Sequence, residues 1–253
     1  MSSSSATRYS DYDNFARIHS QSWGPELIEW IPEIEKIIKQ HLSEEIPEEA
    51  KILDLCCGTG ELAQGLQKKG YQVTGLDGSE EMLRYARQNA PDSEFILDDA
   101  RFFKLPSTFH AVISINFGLN HVINLEELTY VFHNVHTALL TNGLFFFDLR
   151  LDEHYKSNWN NSVLSDIKDE YVWTLLRHYN SEEKLGQIKM AIFQLLEEKW
   201  QRLDNTWLVK GYFRDEVQSA LKDVGFTTIS IYDAERDYGH PRGPGVAYFV
   251  CHK

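Results

Sequence analysis

The sequence has few cysteines and no long hydrophobic segment. Its 253 residues include three cysteines, Cys56, Cys57 and Cys251, which are too few for a disulfide framework and are typical of a reducing compartment. Nowhere do about 18 apolar residues follow one another, and Met1 precedes a serine-rich stretch instead of the apolar core of a signal peptide. We therefore expect a cytoplasmic protein that is neither secreted nor membrane-spanning.

Positive charge is also scarce. The chain has 25 Lys and Arg against 38 Asp and Glu, a net charge of -13, and no basic run longer than two residues that would attract phosphates. We therefore expect no nucleic-acid partner. The 42% of hydrophobic residues, with 15 Gly and 7 Pro, is ordinary for a globular protein and excludes a disordered or collagen-like chain.

Groups of metal-ligating side chains are hard to find in the sequence. His133 and His136 lie three residues apart on a predicted helix, but no cluster of cysteine or aspartate accompanies them. Cys56 and Cys57 lack a second cysteine pair. We therefore expect no metal site.

From residue 50 onward, apolar runs alternate with amphipathic stretches, which is the pattern of βα units around a parallel sheet. The predicted strands are 51–56, 71–76, 95–97, 110–115, 144–148, 226–232 and 246–251. The predicted helices are 61–69, 79–89, 124–140 and 214–224. We expect Ser79 to cap the second of these helices, and Asn124 with Glu127 to form a capping box at the start of the third. The last two strands suggest an antiparallel edge.

Residues 151–212 interrupt this alternation. Ile188, Met190 and Ile192 are separated by polar residues, and residues 207–212 show the same period of two. The pattern predicts an inserted antiparallel sheet that covers one end of the main sheet.

A glycine-rich turn, Asp-Leu-Cys-Cys-Gly-Thr-Gly at residues 54–60, follows the first predicted strand. Glycines let a backbone approach a ligand closely, and the helix that follows offers free N–H groups. A tight turn without a ligand is the alternative interpretation. Gly58 to Ala63 also fits the dinucleotide fingerprint, with Asp77 placed to bind ribose hydroxyls, so an NAD(P)-dependent oxidoreductase stays open, although no Tyr-x-x-x-Lys pair follows.

Two further segments follow the turn, Val-Thr-Gly-Leu-Asp-Gly-Ser-Glu-Glu-Met-Leu at residues 73–83 and Asp-Asp-Ala-Arg at residues 98–101. Together with Ile-Leu-Asp-Leu-Cys-Cys-Gly-Thr-Gly at residues 52–60, they resemble the class I S-adenosylmethionine (SAM) dependent methyltransferases of small-molecule type. The resemblance covers about residues 50–150. One departure is Cys56, where the family often has glycine.

The resemblance implies an α/β fold with a Rossmann-like, doubly wound, mostly parallel sheet of seven strands, an antiparallel C-terminal hairpin and a small inserted antiparallel sheet. It divides the chain into four parts. They are an N-terminal helical lid (1–49), a SAM-binding core (50–150), an inserted substrate cover (151–212) and a C-terminal helix with strands that complete the core sheet (213–253).

The resemblance also implies a set of cofactor-binding residues, namely Asp54, Gly58, Gly60, Asp77, Met82, Asp99, Ala100 and Asn116. Gly58 and Gly60 would face the amino-acid part of SAM, with Asp54 near its ammonium group. Asp77 would hold the ribose hydroxyls and Met82 would pack on adenine. Asp99, beside Ala100, would accept a hydrogen bond from the adenine amino group.

The predicted acceptor site follows the fourth strand, at the carboxyl ends of the sheet where ligands of such folds bind. His121 is the predicted catalytic residue, because an imidazole can accept a proton from an amine or hydroxyl, or hold that group in position. A capping or core histidine is the alternative. Similarity of this stretch to glycine and amino-sugar N-methyltransferases favours an amine, although O-methylating relatives share the scaffold. The predicted substrate-binding residues are Tyr12, Asn120, His121 and Trp173.

The N-terminal segment resembles the lid of small-molecule methyltransferases, and in that case Tyr12, Phe15 and Trp23 would exclude water. An amphipathic helix that packs on the core is the alternative. Many relatives have Tyr-Asp where this chain has His19 and Ser20. We predict a methyl transfer from SAM to a nitrogen or oxygen of a small molecule, with a SAM-binding protein without turnover as an alternative. The sequence leaves the oligomeric state open.

Overall fold

The structure, a computed structural model, describes residues 12–41 and 49–253. The first eleven residues of the predicted lid lie outside this range. The strands are β1 (Lys51–Leu55), β2 (Gln72–Asp77), β3 (Glu94–Leu97), β4 (Phe109–Ser114), β5 (Leu139–Arg150), β6 (Ser162–Ile167), β7 (Tyr171–Asn180), β8 (Leu185–Leu196), β9 (Lys199–Lys210), β10 (Thr228–Asp233) and β11 (Val246–His252).

The α-helices are α1 (Ala16–Ile18), α2 (Gly24–Ile28), α3 (Ile31–His41), α4 (Glu61–Gln67), α5 (Glu80–Asn89), α6 (Leu125–Ala138), α7 (Asp152–Asn158), α8 (Arg214–Val224) and α9 (Ala234–Tyr238). Short 3-10 helices cover Asp13–Phe15 and Gly118–His121, and a π-helix covers His19–Trp23. In the described part of the chain, no helix is both long and apolar enough to cross a membrane.

The main sheet has seven strands in the order β10-β11-β5-β4-β1-β2-β3. Strands β1 to β5 pair in parallel, and β11 runs antiparallel to both β5 and β10. A second, antiparallel sheet has the order β6-β7-β8-β9. The predicted fold class is therefore confirmed, including the C-terminal hairpin and the inserted sheet.

Helices cover both faces of the main sheet, because its central strands are apolar on both sides. In β5, Phe145 and Phe147 belong to the cluster that α6 and α8 complete, whereas Phe146 belongs to the opposite cluster with α3 and α4. The consecutive phenylalanines that predicted a buried strand thus pack into the hydrophobic clusters on both faces of the sheet.

Some predicted boundaries and caps differ from the structure. Strand β5 begins at Leu139, because a bulge in the pairing with β4 carries the strand through Gly143. Ser79 caps α5 as predicted, and Asn124 caps α6 by accepting from the backbone of Glu126. The predicted capping box is wrong, since the carboxylate of Glu127 instead pairs with Arg101 at 3.2 Å.

The N-terminal segment, residues 12–30, lies between the main sheet and the inserted sheet. Phe15 and Ile18 share one buried cluster with Trp173 and Trp207 of the inserted sheet and with Met82 of α5. This arrangement places the segment at the carboxyl end of the main sheet.

Candidate functional site

A cavity of about 1600 Å³ opens at the carboxyl ends of the parallel strands, between the main sheet, the N-terminal segment and the inserted sheet. Most of the predicted site residues line it, namely Tyr12, Gly58, Asp77, Met82, Asp99, Ala100, Asn116, Asn120, His121 and Trp173. Asp54 and Gly60 are not among its lining residues. Ten of the predicted site residues therefore converge on one cavity.

The glycine-rich turn uses left-handed backbone at three positions. Gly58 has φ 53°, Gly60 has φ 82° and Cys56 has φ 61°. A Cβ at Gly60 would lie 2.9 Å from the Cα of Ala86, so Gly60 allows the start of α4 to approach α5 closely. Of the two glycines, Gly58 faces the cavity and Gly60 serves helix packing.

Cys56 adopts a backbone conformation that glycine usually takes, at the position where the resembling family often has glycine. Its side chain is accommodated by Gly118, because a Cβ at Gly118 would lie only 2.8 Å from the Cβ of Cys56. Gly118 opens the 3-10 helix that leads to His121. The turn after β1 and the turn after β4 thus pack closely, because Gly118 leaves space for the Cys56 side chain.

Asp77 connects the turns that follow β1 and β2. Its Oδ2 accepts from the backbone N–H of Gly58 and its Oδ1 accepts from that of Ser79, both at 2.9 Å. Burial raises the pKa of Asp77 above its ordinary value, although these N–H groups act in the opposite direction. The backbone therefore fixes this carboxyl at the cavity wall.

Asp99 carries a partner that the sequence analysis missed. Its carboxylate is held by the guanidinium of Arg101 at 2.7 Å, and Arg101 also reaches Glu127 at 3.2 Å. Burial alone would raise the pKa of Asp99, but the hydrogen bonds and charge of Arg101 hold it below its ordinary value. The spacing of two residues in Asp-Asp-Ala-Arg was the signal for this pair.

Asp54 lies behind the turn and is only 2% exposed. Burial raises its pKa to about 8, and the charges of Asp77 and Glu61 act in the same direction. Asp54 therefore lies away from the cavity wall, in surroundings that disfavour its charged form.

A second buried carboxylate, Asp148 at the end of β5, was not predicted as a site residue. It accepts from the backbone N–H groups of Asn116 at 3.0 Å and Phe117 at 2.8 Å, and pairs with Arg242 at 3.3 Å. Asp148 thereby fixes the turn that places Asn116 on the cavity wall. Arg150, also missed, lines the cavity and lies 3.7 Å above the ring centre of Phe117.

Tyr12 and His121 form a hydrogen-bonded pair inside the cavity. The Tyr12 hydroxyl lies 2.6 Å from His121 Nε2, and the Tyr12 ring stacks on Trp207 with centres 4.8 Å apart. Burial lowers the pKa of His121 to about 4, helped by the charge of Arg150, while the ring also hydrogen-bonds the backbone of Leu208. His121 is therefore neutral at physiological pH and hydrogen-bonded to its surroundings.

Asn120 lines the cavity, but its side-chain amide is hydrogen-bonded to backbone groups. Its Nδ2 donates to the carbonyls of Arg150 at 2.9 Å and Lys210 at 2.7 Å, and its Oδ1 accepts from the N–H of Arg150 at 3.0 Å. Asn120 thus joins β5 to β9 beside the site. Trp173, the other predicted acceptor residue, contacts Trp23 edge-on at 5.5 Å.

The N-terminal segment is attached to several elements around the cavity. Asp13 accepts from the Ser79 hydroxyl at 2.6 Å, and Arg17 pairs with Glu170 of the inserted sheet at 3.1 Å. Nδ1 of His19 lies 2.7 Å from the hydroxyl of Thr59 in the glycine-rich turn. These contacts hold the segment across the opening of the cavity.

Comparisons with known proteins agree with this geometry. A family profile described as a methyltransferase domain matches residues 52–143. A Bacillus subtilis (strain 168) protein named "Putative methyltransferase YqeM" is 30% identical over 188 residues, which is 72% of this chain and 75% of that protein. A dTDP-3-amino-3,4,6-trideoxy-alpha-D-glucopyranose N,N-dimethyltransferase of Streptomyces venezuelae is 37% identical over 82 residues, 32% of this chain and 35% of that one.

The fold is also that of a solved structure, a SAM-dependent methyltransferase from Clostridium acetobutylicum ATCC 824. The two chains superpose with a TM-score of 0.79 at 18% identity, over 95% of this chain and 98% of the other. The match to YqeM extends over about three quarters of both chains, and the fold places the three predicted segments around one cavity. The chain therefore belongs to the SAM-dependent methyltransferase family.

Proposed function

We propose that the protein transfers a methyl group from SAM to a nitrogen or oxygen of a small-molecule acceptor bound in the cavity. The observation that carries this proposal is that two groups of residues with different chemistry line opposite walls of the same cavity. Gly58, Asp77 and Asp99 contribute one wall, and the Tyr12–His121 pair contributes the other.

The polar groups of the first wall and the space beside them suit the polar groups and the size of SAM. An ionised carboxylate offers about four lone-pair sites, and two backbone N–H groups use only part of that capacity in Asp77. Asp77 therefore retains acceptor sites for the ribose hydroxyls. The atoms within 4 Å of a Cβ at Gly58 belong to the His19 ring, so the amino-acid part would lie beside Gly58 and His19, which both line the cavity.

Three more of the lining residues suit the adenine. Met82 and Ala100 supply apolar surface for the ring, and Asp99 supplies carboxylate oxygens for the amino group. Because Arg101 already holds Asp99, the adenine amino group would share this carboxylate with the guanidinium. Asn116, held by Asp148, completes the set of predicted cofactor residues on the wall.

The second wall suits the positioning of an acceptor. When Nε2 of His121 is the unprotonated ring nitrogen, Tyr12 donates to it, and the lone pairs of the Tyr12 oxygen are available to accept from an N–H or O–H of the acceptor. His121 would then orient Tyr12 and would not itself remove the proton. This role matches an imidazole whose pKa of about 4 makes it a weak base.

SAM supplies a methyl group already activated by the sulfonium, so the chain's task is alignment and the exclusion of water. Phe15, Trp23 and Trp207 form the cover of the cavity in this structure. Aromatic walls of this kind bind apolar or cationic small molecules well. The partial similarity to the Streptomyces venezuelae N,N-dimethyltransferase favours an amine as the acceptor.

We further propose that the protein acts in the cytoplasm and on small molecules, not on nucleic acid. The net charge of -13 disfavours phosphate backbones, and all three cysteines are free thiols. The covered cavity is suited to a molecule small enough to be enclosed.

Two experiments test the proposed function. Calorimetry with SAM and with NAD separates a methyltransferase from an oxidoreductase, and we expect heat of binding only with SAM. Incubation with SAM and a panel of amines and phenols, followed by mass spectrometry, should then show products heavier by one methyl group. Binding of SAM without any product across the panel would instead support a SAM-binding protein without turnover.

A further inference from the structure

His19 occupies a position over the glycine-rich turn that the sequence did not assign to any ligand. It is the first residue of the π-helix His19–Trp23, a rare element that often occurs at functional sites. Its ring lies directly over Gly58, with Cε1 3.5 Å from the place where a Cβ would be, and it lines the cavity.

A hydrogen-bonded chain determines which nitrogen of His19 carries the proton. The Thr59 hydroxyl donates its single proton to the carboxylate of Glu61, which lies 2.7 Å away. Thr59 can therefore only accept from His19 Nδ1, at 2.7 Å. Burial raises the pKa of Glu61, and the hydrogen bond from Thr59 acts in the opposite direction. In the ionised form of Glu61, the proton of the neutral His19 ring is on Nδ1, and Nε2 has a free lone pair.

The surroundings keep this arrangement in place. Thr59 is fully buried and Glu61 is 4% exposed, so neither group exchanges its partner for water. Burial lowers the pKa of His19 to about 4, and the ring is neutral at physiological pH. Within residues 12–41 and 49–253, no protein group hydrogen-bonds Nε2 of His19.

We infer that Nε2 of His19 accepts a hydrogen bond from the ammonium group of SAM, with Thr59 and Glu61 as positioning residues that fix its tautomer. The inference rests on the proposed function, because it concerns the same cofactor site. It assigns the ammonium to His19, which lines the cavity, and not to Asp54, which lies behind the turn. The negative charge of Glu61, transmitted through Thr59, favours a cation at this atom.

The first test uses three ligands that differ at one end. SAM has both ammonium and carboxylate groups, decarboxylated SAM keeps only the ammonium, and 5′-methylthioadenosine has neither. In calorimetry, we expect His19→Phe to weaken SAM and decarboxylated SAM by about ten- to hundredfold, the effect of one hydrogen bond to a charged group. Affinity for 5′-methylthioadenosine should change less than twofold.

Two matched variants complete the series. His19→Gln keeps an acceptor oxygen near the position of Nε2 and should recover part of the affinity for SAM. His133→Phe, on the exposed face of α6, should leave all three affinities unchanged. Thermal melting of each variant checks that the N-terminal segment still folds.

Each outcome supports or overturns the inference. Unchanged SAM affinity in His19→Phe overturns it, and an effect that disappears with decarboxylated SAM assigns His19 to the carboxylate and overturns it as well. An equal loss for 5′-methylthioadenosine would mean that the variant disturbs the turn and not the ammonium contact, which also contradicts the inference. If the natural protein fails to bind SAM at all, the proposed function fails first.

A spectroscopic measurement tests the positioning residues. In ¹⁵N NMR spectra, we expect the His19 ring as the tautomer protonated at Nδ1, and a mixture of both tautomers in Thr59→Val. A change of this kind would not follow from a purely structural role. A ring of His19 found protonated at Nε2 in the natural protein would refute the acceptor role.

Discussion

The wall of the cavity that follows β1 and β2 holds its polar groups with backbone amides, whereas the wall formed by the N-terminal segment and the inserted sheet consists of aromatic side chains. Asp77 accepts from one backbone N–H group of the glycine-rich turn after β1 and from one of the turn after β2. Tyr12, by contrast, is oriented by the rings of His121 and Trp207. The first wall is therefore fixed by hydrogen bonds within turns close together in the sheet. The second wall is fixed by contacts between residues far apart in the sequence.

This difference bears on what each wall can recognise. A carboxyl anchored by its own turns stays in one place, which suits a cofactor that is the same in every turnover. Rings contributed by a separate sheet can vary without disturbing the main sheet, which suits an acceptor that differs among relatives. Substitutions on the first wall, and at His19 where the N-terminal segment lies over the glycine-rich turn, should therefore change cofactor affinity. Substitutions of the aromatic residues on the second wall should change turnover.

The largest effect is expected from Asp77→Ala. Loss of charge-assisted hydrogen bonds to the ribose should weaken SAM binding by about a hundredfold in calorimetry. Trp207→Phe, on the opposite wall, serves as the control and should bind SAM normally. An Asp77→Ala variant with unchanged affinity would remove the ribose assignment and the contrast between the two walls.

The second effect concerns turnover. His121→Ala removes the partner that orients Tyr12, so kcat should fall by roughly thirtyfold while the affinity for SAM changes less than twofold. Tyr12→Phe should give a similar loss, and the double variant should be little worse than either single one, because both changes remove the same contact. Additive losses would show that the two side chains act independently.

A third effect, a roughly tenfold loss of SAM affinity, is expected from disturbing the close packing of the turns after β1 and β4. Gly118→Ala would bring a methyl group to 2.8 Å from the Cβ of Cys56, so the turn after β1 must shift and SAM affinity should fall. Cys56→Gly in the same chain removes the clash and should restore affinity, as measured by calorimetry. A double variant that binds no better than Gly118→Ala would disprove this coupling.

The smallest effect is a shift in titration. Because the pKa of His121 is about 4, its ring should show no protonation step between pH 6 and 8 in NMR. Arg150→Met removes a positive charge and should raise this pKa, while burial keeps it below the ordinary value of 6.5. A transition of His121 near pH 6.5 in the natural protein would contradict the buried pair.

The same depressed pKa has a consequence for stability. In the unfolded chain the imidazole of His121 or His19 binds a proton near pH 6.5, but in the folded chain it does so only near pH 4. The free energy of unfolding should therefore decrease as the pH falls from about 6.5 towards 4. Thermal melting curves at several pH values measure this, and His19→Phe should flatten part of the slope.

The main sheet and the cofactor wall could be predicted from the sequence because their signals are local. A strand, a glycine-rich turn and a helix lie within a few residues of one another, and Asp77 follows its strand directly. The parallel order of the strands then brings the turns together without further information. The cavity wall contains most of the predicted residues for this reason.

The rest depends on contacts between residues far apart in the chain. Nothing near Tyr12 in the sequence indicates a hydrogen bond to His121, 109 residues away, and nothing near Asp148 indicates Arg242. Arg150 looks like an ordinary strand end until the fold places it beside Phe117. Helix α3 lies within the predicted helical lid, but its bounds were not predicted, although its regular apolar face is a local signal.

The N-terminal segment joins the core at Thr59 and Ser79 and the inserted sheet at Glu170, so its position spans both walls. We expect a product that leaves through this side to require that those hydrogen bonds break together. Departure of the spent cofactor would then be slower than a simple diffusive exit, and the rate of the whole cycle would depend on how often these few bonds open.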